Sequence, residues 1–500
     1  MTNNMRVAAL LLREYQGTGE ILFRSNIRLQ GRFKVIFYAG GVCRLIHSIK
    51  LEDQLPEVRR LASLTQQDIQ NRNVPRDNFE ASLTGKSDDG GNISINWMSL
   101  DDASLKVDRM DARATLDPVS RQIVFNQFEA IINSTLIEGT GNLEFVVGSE
   151  VEITYGMLEQ EDTVGVFVGI TNFIFRGCEW NAERPKQYFI NGELSLKVGD
   201  FNLEFINIPE YNRFVEIFSF DYFMKQLKSK QFDITCECIS IVKFNEISIM
   251  RTIMRKVLYI LSFATCNWLA TLYEDTYKDR KLVRTILFPH KTFQFIGGQY
   301  AINPTDNRDC QLKRLVETGY ENYAKFEDKL GLKYIIENYV MSLREGNSEA
   351  QYLLLAISLE ILASYAHNYA KNNMTVVPNR TKKEKEIQLI RNCKNMNVKI
   401  SDQFFEQIII WGGFRDTRLK DKIRYIFDEV HLYYTEKELS NFVKYRNIMV
   451  HAGVSRNPGK LIEEWHNLGN LIDRLILTLL GWKGNTYIDK SKDYTQQILE

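Results

Sequence analysis

The sequence predicts a multidomain α+β protein in which a β-rich, sandwich or barrel-like N-terminal half precedes an all-α helical bundle. A chain of 500 residues is too long for one hydrophobic core, so two or three domains are expected. Over the first 205 residues apolar and polar side chains alternate, which is the period of a β-strand. From about residue 320 the apolar residues recur at helical spacing with short connections, which is typical of a bundle.

These patterns divide the chain into four predicted regions. They are a β-rich domain over 1–206, a mixed region with a long helix over 207–319, a helical bundle over 320–484 and a C-terminal tail over 485–500. The first boundary lies where the strand period ends, and the second where continuous helix begins.

The strand pattern of the first region is clear at Ile93, Ile95 and Trp97, which alternate with a serine and an asparagine. Comparable runs cover 33–37, 143–147, 151–155, 164–175, 194–198 and 201–205. A Gly-Asp pair separates the last two runs and predicts a hairpin turn. The Gly-Thr-Gly segment at 17–19 is expected to be another turn.

The middle region mixes both patterns. Residues 241–244 are expected to form a last strand, and a long helix is expected over 245–276. Two shorter strand-like pieces follow at 283–287 and 292–296. The helices of the bundle are expected at 315–329, 331–343, 348–370, 382–392, 402–412, 419–427, 436–450 and 458–481.

Composition excludes several classes of protein. The formal net charge is zero, so the chain as a whole is not an electrostatic nucleic-acid binder and any basic surface must be local. The seven cysteines are odd in number and scattered, which argues against a disulfide framework and fits a reducing cytoplasm. Cys236-x-Cys238 lacks a second cysteine pair, so no metal site is expected.

No membrane partner and no cofactor are expected. The apolar stretch 257–273 is shorter than the ~20 residues that a membrane span needs, and it contains Thr265 and Asn267, so we expect a buried helix. Arg13 and Glu14 interrupt the apolar run near the start, which does not fit a signal peptide. Phosphate-binding loops and the common hydrolase and dinucleotide motifs are missing.

One short motif contains side chains that could catalyse a reaction. Residues 446–451 read Arg-Asn-Ile-Met-Val-His and end a predicted helix. Arg446 is a permanent cation suited to a developing phosphate charge, and a histidine such as His451 is the usual side chain for proton transfer near neutral pH. RNA brings its own nucleophile, the 2′-hydroxyl, so its cleavage needs a base, a cation and an acid but no metal. The alternative is a surface helix that carries both residues by chance.

Arg-Asn-x-x-x-His in a C-terminal helix resembles the HEPN superfamily (higher eukaryotes and prokaryotes nucleotide-binding). With its large β-rich first half, the chain is similar to the ApeA-like bacterial anti-phage group. The resemblance covers residues 320–484 well and the first half only as architecture. It implies a HEPN-like bundle and a metal-independent endoribonuclease with Arg446, Asn447 and His451 as catalytic residues. It also implies abortive infection, in which host or phage RNA is cut and growth stops. The β-rich half would then restrain this toxic activity until an unknown phage-derived or nucleotide trigger appears.

The spacing of the motif limits what one helix can do. Asn447 and His451 are four residues apart and share a helix face, whereas Arg446 projects about 140° away from His451. A single helix therefore does not bring all three groups to one phosphate. The family resemblance implies a composite site, in which two such helices face each other across a symmetric homodimer or a higher oligomer.

Glu360 is the second candidate. It lies in an otherwise apolar predicted helix, where burying a carboxylate is costly unless it is paired. The resemblance implies an acidic residue in this earlier helix that points toward the motif, so we expect Glu360 to orient Arg446 or His451. The alternative is a structural ion pair.

A basic segment could hold the RNA backbone. Residues 371–424 contain thirteen Lys or Arg and six Asp or Glu, a local excess of seven positive charges. The candidate RNA-binding residues are Lys382, Lys383, Lys385, Arg415, Arg418, Lys420 and Lys422. An ordinary solvated helix surface explains the same charges equally well.

Two other functions remain open. One is a non-catalytic HEPN module that binds nucleotide or RNA, or acts as a dimerisation scaffold beside a β-sandwich ligand-binding domain. The other is a carbohydrate- or protein-binding β-sandwich with a helical oligomerisation domain. Neither requires both the arginine and the histidine of the motif.

Overall fold

A computed structural model of the chain describes most of both halves. The described residues are 11–38, 43–50, 52–54, 56–61, 63, 80–111, 138–171, 173, 193–207, 234–289, 301–302, 311–344, 346–373, 419–452, 457–482, 486–489 and 495–498. The predicted helices at 382–392 and 402–412, and the strand-like piece at 292–296, lie outside these residues.

The chain divides into two compact units, each assembled from several segments. The first contains Met1–Ile174, Phe201–Met250 and Ala270–Phe295, and the second contains Phe175–Asp200, Arg251–Leu269 and Ile296–Glu500. The first unit is built of strands and the second mainly of helices. The expected α+β class, with a β-rich N-terminal half followed by C-terminal helices, is therefore confirmed. The linear boundaries at 206, 319 and 484 stay predictions.

The strands follow one another closely along the first half. They are β1 (Leu11–Phe23), β2 (Arg28–Tyr38), β3 (Cys43–Lys50), β4 (Glu80–Ser87), β5 (Asn92–Asp111), β6 (Glu138–Val147), β7 (Val151–Thr154), β8 (Thr163–Thr171), β9 (Glu193–Val198), β10 (Phe201–Asn207), β11 (Ile234–Lys243), β12 (Ala270–Lys278), β13 (Lys281–Leu287), β14 (Thr486–Asp489) and β15 (Thr495–Ile498). The predicted turn lies between β9 and β10, where Gly199 has a φ of 57°.

Six strands close into a barrel in the order β4-β1-β2-β3-β6-β5, because β5 also pairs with β4. All the pairings are antiparallel. The predicted turn at 17–19 is wrong, since these residues continue β1. A Cβ on Gly17 would lie 2.1 Å from the carbonyl oxygen of Lys86 in β4, so the glycine permits the close approach of these two strands.

The sheet continues beyond the barrel in the order β5-β7-β13-β12-β8-β11-β10. Alternate residues of β3 are buried, as the strand period requires. The apolar core of this unit includes Leu29, Leu45, Leu83 and Phe145, each at most 1% exposed. The apolar alternation of the sequence is thus the inward-facing set of side chains.

Of the described helices, all but the first begin and end within four residues of the predicted bounds. The described helices are α1 (Ile247–Thr265), α2 (Gln311–Lys329), α3 (Leu332–Ser342), α4 (Ser348–Asn373), α5 (Leu419–Glu429), α6 (Glu436–Ala452) and α7 (Pro458–Leu480). Short 3-10 turns occupy Glu52–Gln54 and Phe244–Glu246. None of the helices described here is long and apolar enough to cross a membrane.

The long helix predicted over 245–276 is wrong in its second half. Helix α1 ends at Thr265, and Cys266 adopts a left-handed conformation with a φ of 53°. The chain then forms β12, which pairs with both β8 and β13. The segment is rich in Thr and Tyr, and the two available partner strands favour a β conformation over helical continuation.

The C-terminal tail contains an element that the sequence analysis did not predict. Strands β14 and β15 form a two-stranded antiparallel sheet. The amide of Asn470 in α7 donates a hydrogen bond of 2.7 Å to the carboxylate of Asp489 in β14. Both residues are buried, so this polar contact joins the hairpin to α7.

Candidate active site

Helix α6 carries the Arg-Asn-x-x-x-His motif and begins with a capping box. The hydroxyl of Thr435 accepts the backbone N–H of Glu438 at 3.2 Å, and the carboxylate of Glu438 accepts the backbone N–H of Thr435 at 2.7 Å. These bonds satisfy donors that would otherwise lack a partner at the start of the helix. Thr-x-x-Glu therefore sets where α6 begins, ten residues before Arg446.

Buried residues along one side of α6 determine which motif residues face inward. Leu439, Phe442 and Met449 are buried. Arg446 lies within the same face of the helix, with 24% of its side chain exposed. Asn447 lies outside the buried face and is exposed.

Glu360 of α4 holds Arg446 of α6. The Nε of Arg446 donates to the Oε1 of Glu360 at 2.6 Å, and its Nη1 donates to the Oδ1 of Asn447 at 3.2 Å. The hydrogen bond to Glu360 raises the pKa of Arg446, so the guanidinium is firmly cationic. A guanidinium has five N–H groups, so three are left without a partner among the described residues. The expected contact of Glu360 with the motif is present, while its orienting role stays a prediction.

His451 lies apart from this cluster. It is exposed in the last turn of α6. Helical geometry directs it about 140° away from Arg446. Its imidazole makes no hydrogen bond with any residue that the structure describes. Within one chain, the structure thus brings together Glu360, Arg446 and Asn447 but not the histidine.

Most of the predicted RNA-binding residues lie outside the described part of the chain. These are Lys382, Lys383, Lys385, Arg415 and Arg418. Lys422 is half-buried in α5. Lys420 is engaged by α6, since its ammonium lies 2.9 Å from the carboxylate of Glu436 and donates to Ser440 at 2.7 Å. The basic residues of α5 are therefore partly neutralised.

Glu436 is the acidic residue that the charge count overlooked. Arg424 grips its carboxylate with two hydrogen bonds of 2.9 and 3.0 Å, and Lys420 adds a third cationic contact. Chiefly the hydrogen bond from Arg424 lowers the pKa of Glu436 to about 2. Glu436 lies beyond the basic segment in sequence, and the packing of α5 against α6 brings it back to that segment.

No family model, curated protein or solved structure matches this chain. The fold and the geometry around Arg446 therefore carry the functional argument alone. Within the described ranges, no group of three His, Cys, Asp or Glu side chains is close enough to hold a metal ion.

The sequence analysis did not identify two aromatic residues that belong to the packing around Arg446. The ring of Tyr352 in α4 lies 6.4 Å from that of Tyr445 in α6, between centroids. The hydroxyl of Tyr352 donates to the backbone carbonyl of Phe442 at 3.2 Å. The available signal was a tyrosine two helical turns before Glu360 in an otherwise apolar segment, which predicts a hydrogen bond inside the bundle.

Proposed function

We propose that this protein is a metal-independent HEPN-type endoribonuclease whose helical bundle cuts RNA by attack of the 2′-hydroxyl. The observation that carries the proposal is the ion pair between Glu360 and Arg446. A carboxylate that holds Nε leaves the outer edge of the guanidinium toward solvent, where a planar fork binds a phosphate well.

His451 supplies the proton-transfer group in this proposal. Because it projects away from Arg446 on the same helix, a second copy of the chain provides the complementary half of the site. Two facing α6 helices would bring two arginines and two histidines into one cleft. A homodimer, or a higher oligomer built of such dimers, is therefore the active species.

An exposed apolar side chain supports association through α6. Ile448 is 36% exposed and lies three residues before His451, on the same face of the helix. Burying apolar surface of this kind is the usual driving force for association. The same observation favours the second candidate function, a non-catalytic scaffold or nucleotide-binding module that dimerises through the bundle.

The biological role in this proposal is anti-phage defence in the cytoplasm. The activated nuclease cuts host or phage RNA and arrests growth, as in abortive infection. The β-rich unit restrains the nuclease until it meets a phage-derived or nucleotide trigger. A closed barrel with an extended sheet is a suitable scaffold for recognition, although a fold alone names no ligand.

Cleavage of a labelled single-stranded RNA in excess EDTA tests the proposal. Wild type is expected to produce 2′,3′-cyclic phosphate ends, and His451→Ala and Arg446→Ala are each expected to be inactive. A mixture of the two variants is the sharper test, because a mixed dimer joins an intact arginine and an intact histidine from different chains. Recovered cleavage in the mixture supports a composite site.

Growth on expression separates the two candidate functions. The nuclease predicts growth arrest that His451→Ala relieves, whereas a scaffold predicts the same growth with either protein. Equal RNA cleavage by wild type and both variants would overturn the assignment of the site.

A further inference from the structure

A second site lies in the helical unit, between α4, α6 and α7. The structure contains a cavity of about 210 Å³ there, which is the liquid volume of about seven water molecules. Its apolar wall includes Tyr352, Phe442 and Leu468. Its polar wall includes Asn441, Glu464 and Asn467. A concave site that combines apolar side chains with converging polar groups can orient a small molecule.

Glu464 is the anchor of this cavity. Only 4% of its side chain is exposed. Its Oε1 accepts a hydrogen bond from the amide of Asn441 at 3.2 Å and lies 3.3 Å from the ammonium of Lys460. Two carboxylates share Lys460, because its ammonium also lies 2.8 Å from the carboxylate of Glu463, closer than to Glu464. Both of the contacts of Glu464 use Oε1, so its Oε2 can accept a hydrogen bond from a ligand in the cavity.

Two side-chain amides line the cavity together with Glu464. The amide nitrogen of Asn441 is used by Glu464, so its carbonyl oxygen is available. The side-chain amide of Asn467 makes no hydrogen bond with the described part of the chain. Glu464, Asn441 and Asn467 therefore offer three acceptors, which is the number of N–H donors on a primary ammonium.

We propose that this cavity binds a small ligand in which a primary ammonium group adjoins an apolar body. The ammonium meets Glu464 and the two asparagines, and the apolar body packs on Phe442 and Leu468. Lys437 also borders the cavity and is exposed. Its charge favours a ligand with a carboxylate at the outer end. An apolar amino acid and a simple apolar amine would make the same contacts with Glu464 and the asparagines, and only the amino acid would also contact Lys437.

The cavity is connected to the candidate active site through Tyr352. This residue lines the cavity and donates its hydroxyl to the carbonyl of Phe442. In an α-helix the same carbonyl accepts the backbone N–H of the residue four positions later, which is Arg446. The ring of Tyr352 also packs against that of Tyr445. A ligand that shifts Tyr352 thus acts directly on the turn of α6 that carries Arg446, and the site is regulatory. This last step rests on the proposed function.

Calorimetric titration with two probes tests the site without any reference to RNA cleavage. The probes are phenethylamine and L-phenylalanine, and 2-phenylethanol serves as a control of similar shape that lacks the ammonium. Glu464→Gln removes the buried charge at nearly constant shape. Glu463→Gln is the matched control, because it removes the neighbouring charge, which also contacts Lys460 but lies on the exposed face.

At least one amine probe is expected to bind the wild type, while 2-phenylethanol does not. Glu464→Gln is expected to weaken that binding about tenfold or more, and Glu463→Gln by less than about twofold. Lys437→Gln is expected to weaken L-phenylalanine alone. Asn467→Leu fills the polar wall without touching Glu464, so it tests the same cavity if Glu464→Gln fails to fold.

Binding of neither amine to the wild type overturns the proposal, as does equal binding to Glu464→Gln and Glu463→Gln. The regulatory step has a separate readout, which is a change in the RNA cleavage rate when the bound probe saturates the cavity. If a probe binds and the RNA cleavage rate does not change, the regulatory role is rejected and the binding site is retained. Binding to a wild type that cleaves no RNA rejects the proposed function while the cavity assignment stands.

Discussion

Glu360 and Arg446 are 86 residues apart in sequence and form an ion pair of 2.6 Å between α4 and α6. About a third of the glutamate side chain and a quarter of the arginine side chain are exposed. Because solvent reaches both side chains, the pair contributes little to the free energy of unfolding. Its short hydrogen bond still fixes the orientation of the guanidinium of Arg446. This combination fits a functional pair better than a structural one.

Glu360→Gln should reduce RNA cleavage much more than it reduces stability. The amide oxygen can still accept the Nε–H but carries no charge, so Arg446 is held less firmly and the cleavage rate is expected to fall about tenfold or more. An exposed ion pair contributes only about 0–1 kcal/mol to the free energy of unfolding. Urea unfolding and single-turnover cleavage measure the two effects. Glu463→Gln is the control, and a large loss of stability with normal cleavage would make Glu360 structural.

His47 should make the β-rich unit sensitive to acid. It is fully buried in β3. Burial lowers the pKa of His47 from 6.5 to about 4, and the backbone of Leu29 opposes this only in part. Because the folded pKa is the lower one, the folded state favours neutral histidine. Stability is then full above about pH 6.5 and falls as the pH drops toward 4.

The size of this effect is up to about 3 kcal/mol, from a depression of two to three pKa units. Urea unfolding at pH 7, 5.5 and 4.5 should show the loss in the wild type and a smaller loss in His47→Leu. His451→Ala, which removes an exposed histidine, should keep the slope of the wild type. The same pH dependence in His47→Leu would show that other groups cause it.

Glu436→Gln should strengthen RNA binding. The substitution releases Lys420 and Arg424 from the carboxylate that they share. Each released cation that reaches a phosphate should steepen the dependence of log affinity on log salt by about 0.7 for single-stranded RNA. Fluorescence anisotropy with a labelled RNA at several salt concentrations measures the slope. Glu429→Gln, which also removes one negative charge near the end of α5, should leave the slope nearly unchanged.

Gly331→Ala should destabilise the helical unit. Gly331 precedes α3 with a φ of 67°, and a Cβ there would lie 2.8 Å from the ring of Tyr365 in α4. The left-handed conformation alone costs a side chain about 1–2 kcal/mol, and the ring must also move. Gly346→Ala is the matched control, because a Cβ at that position meets nothing within 4 Å. Equal urea midpoints for the two variants would contradict this expectation.

The local parts of the fold could be predicted because their causes are local. The helical repeat predicted the first residues of α4, α6 and α7 correctly as Ser348, Glu436 and Pro458. The long helix over 245–276 failed for the opposite reason. Its second half has no local stop signal, and pairing with two distant strands makes it β12.

The candidate site likewise contains residues that the sequence predicts and contacts that only packing creates. Arg446, Asn447 and His451 were recognisable because a motif is a local pattern, and the directions of their side chains follow from the helical period. The charge count of the basic segment was incomplete, since Glu436 lies outside the segment in sequence and is brought to Lys420 and Arg424 by packing.

The sequence by itself determined the α+β class, the helix that carries the motif and the angle between Arg446 and His451, because these depend on side chains within a few residues of one another. Only the tertiary structure decided the closure of the barrel through β4 and β5, the ion pair of Glu360 with Arg446 and the cavity beside Glu464. Those features join segments that are distant along the chain. They depend on how strands and helices pack, which residue periodicity does not encode.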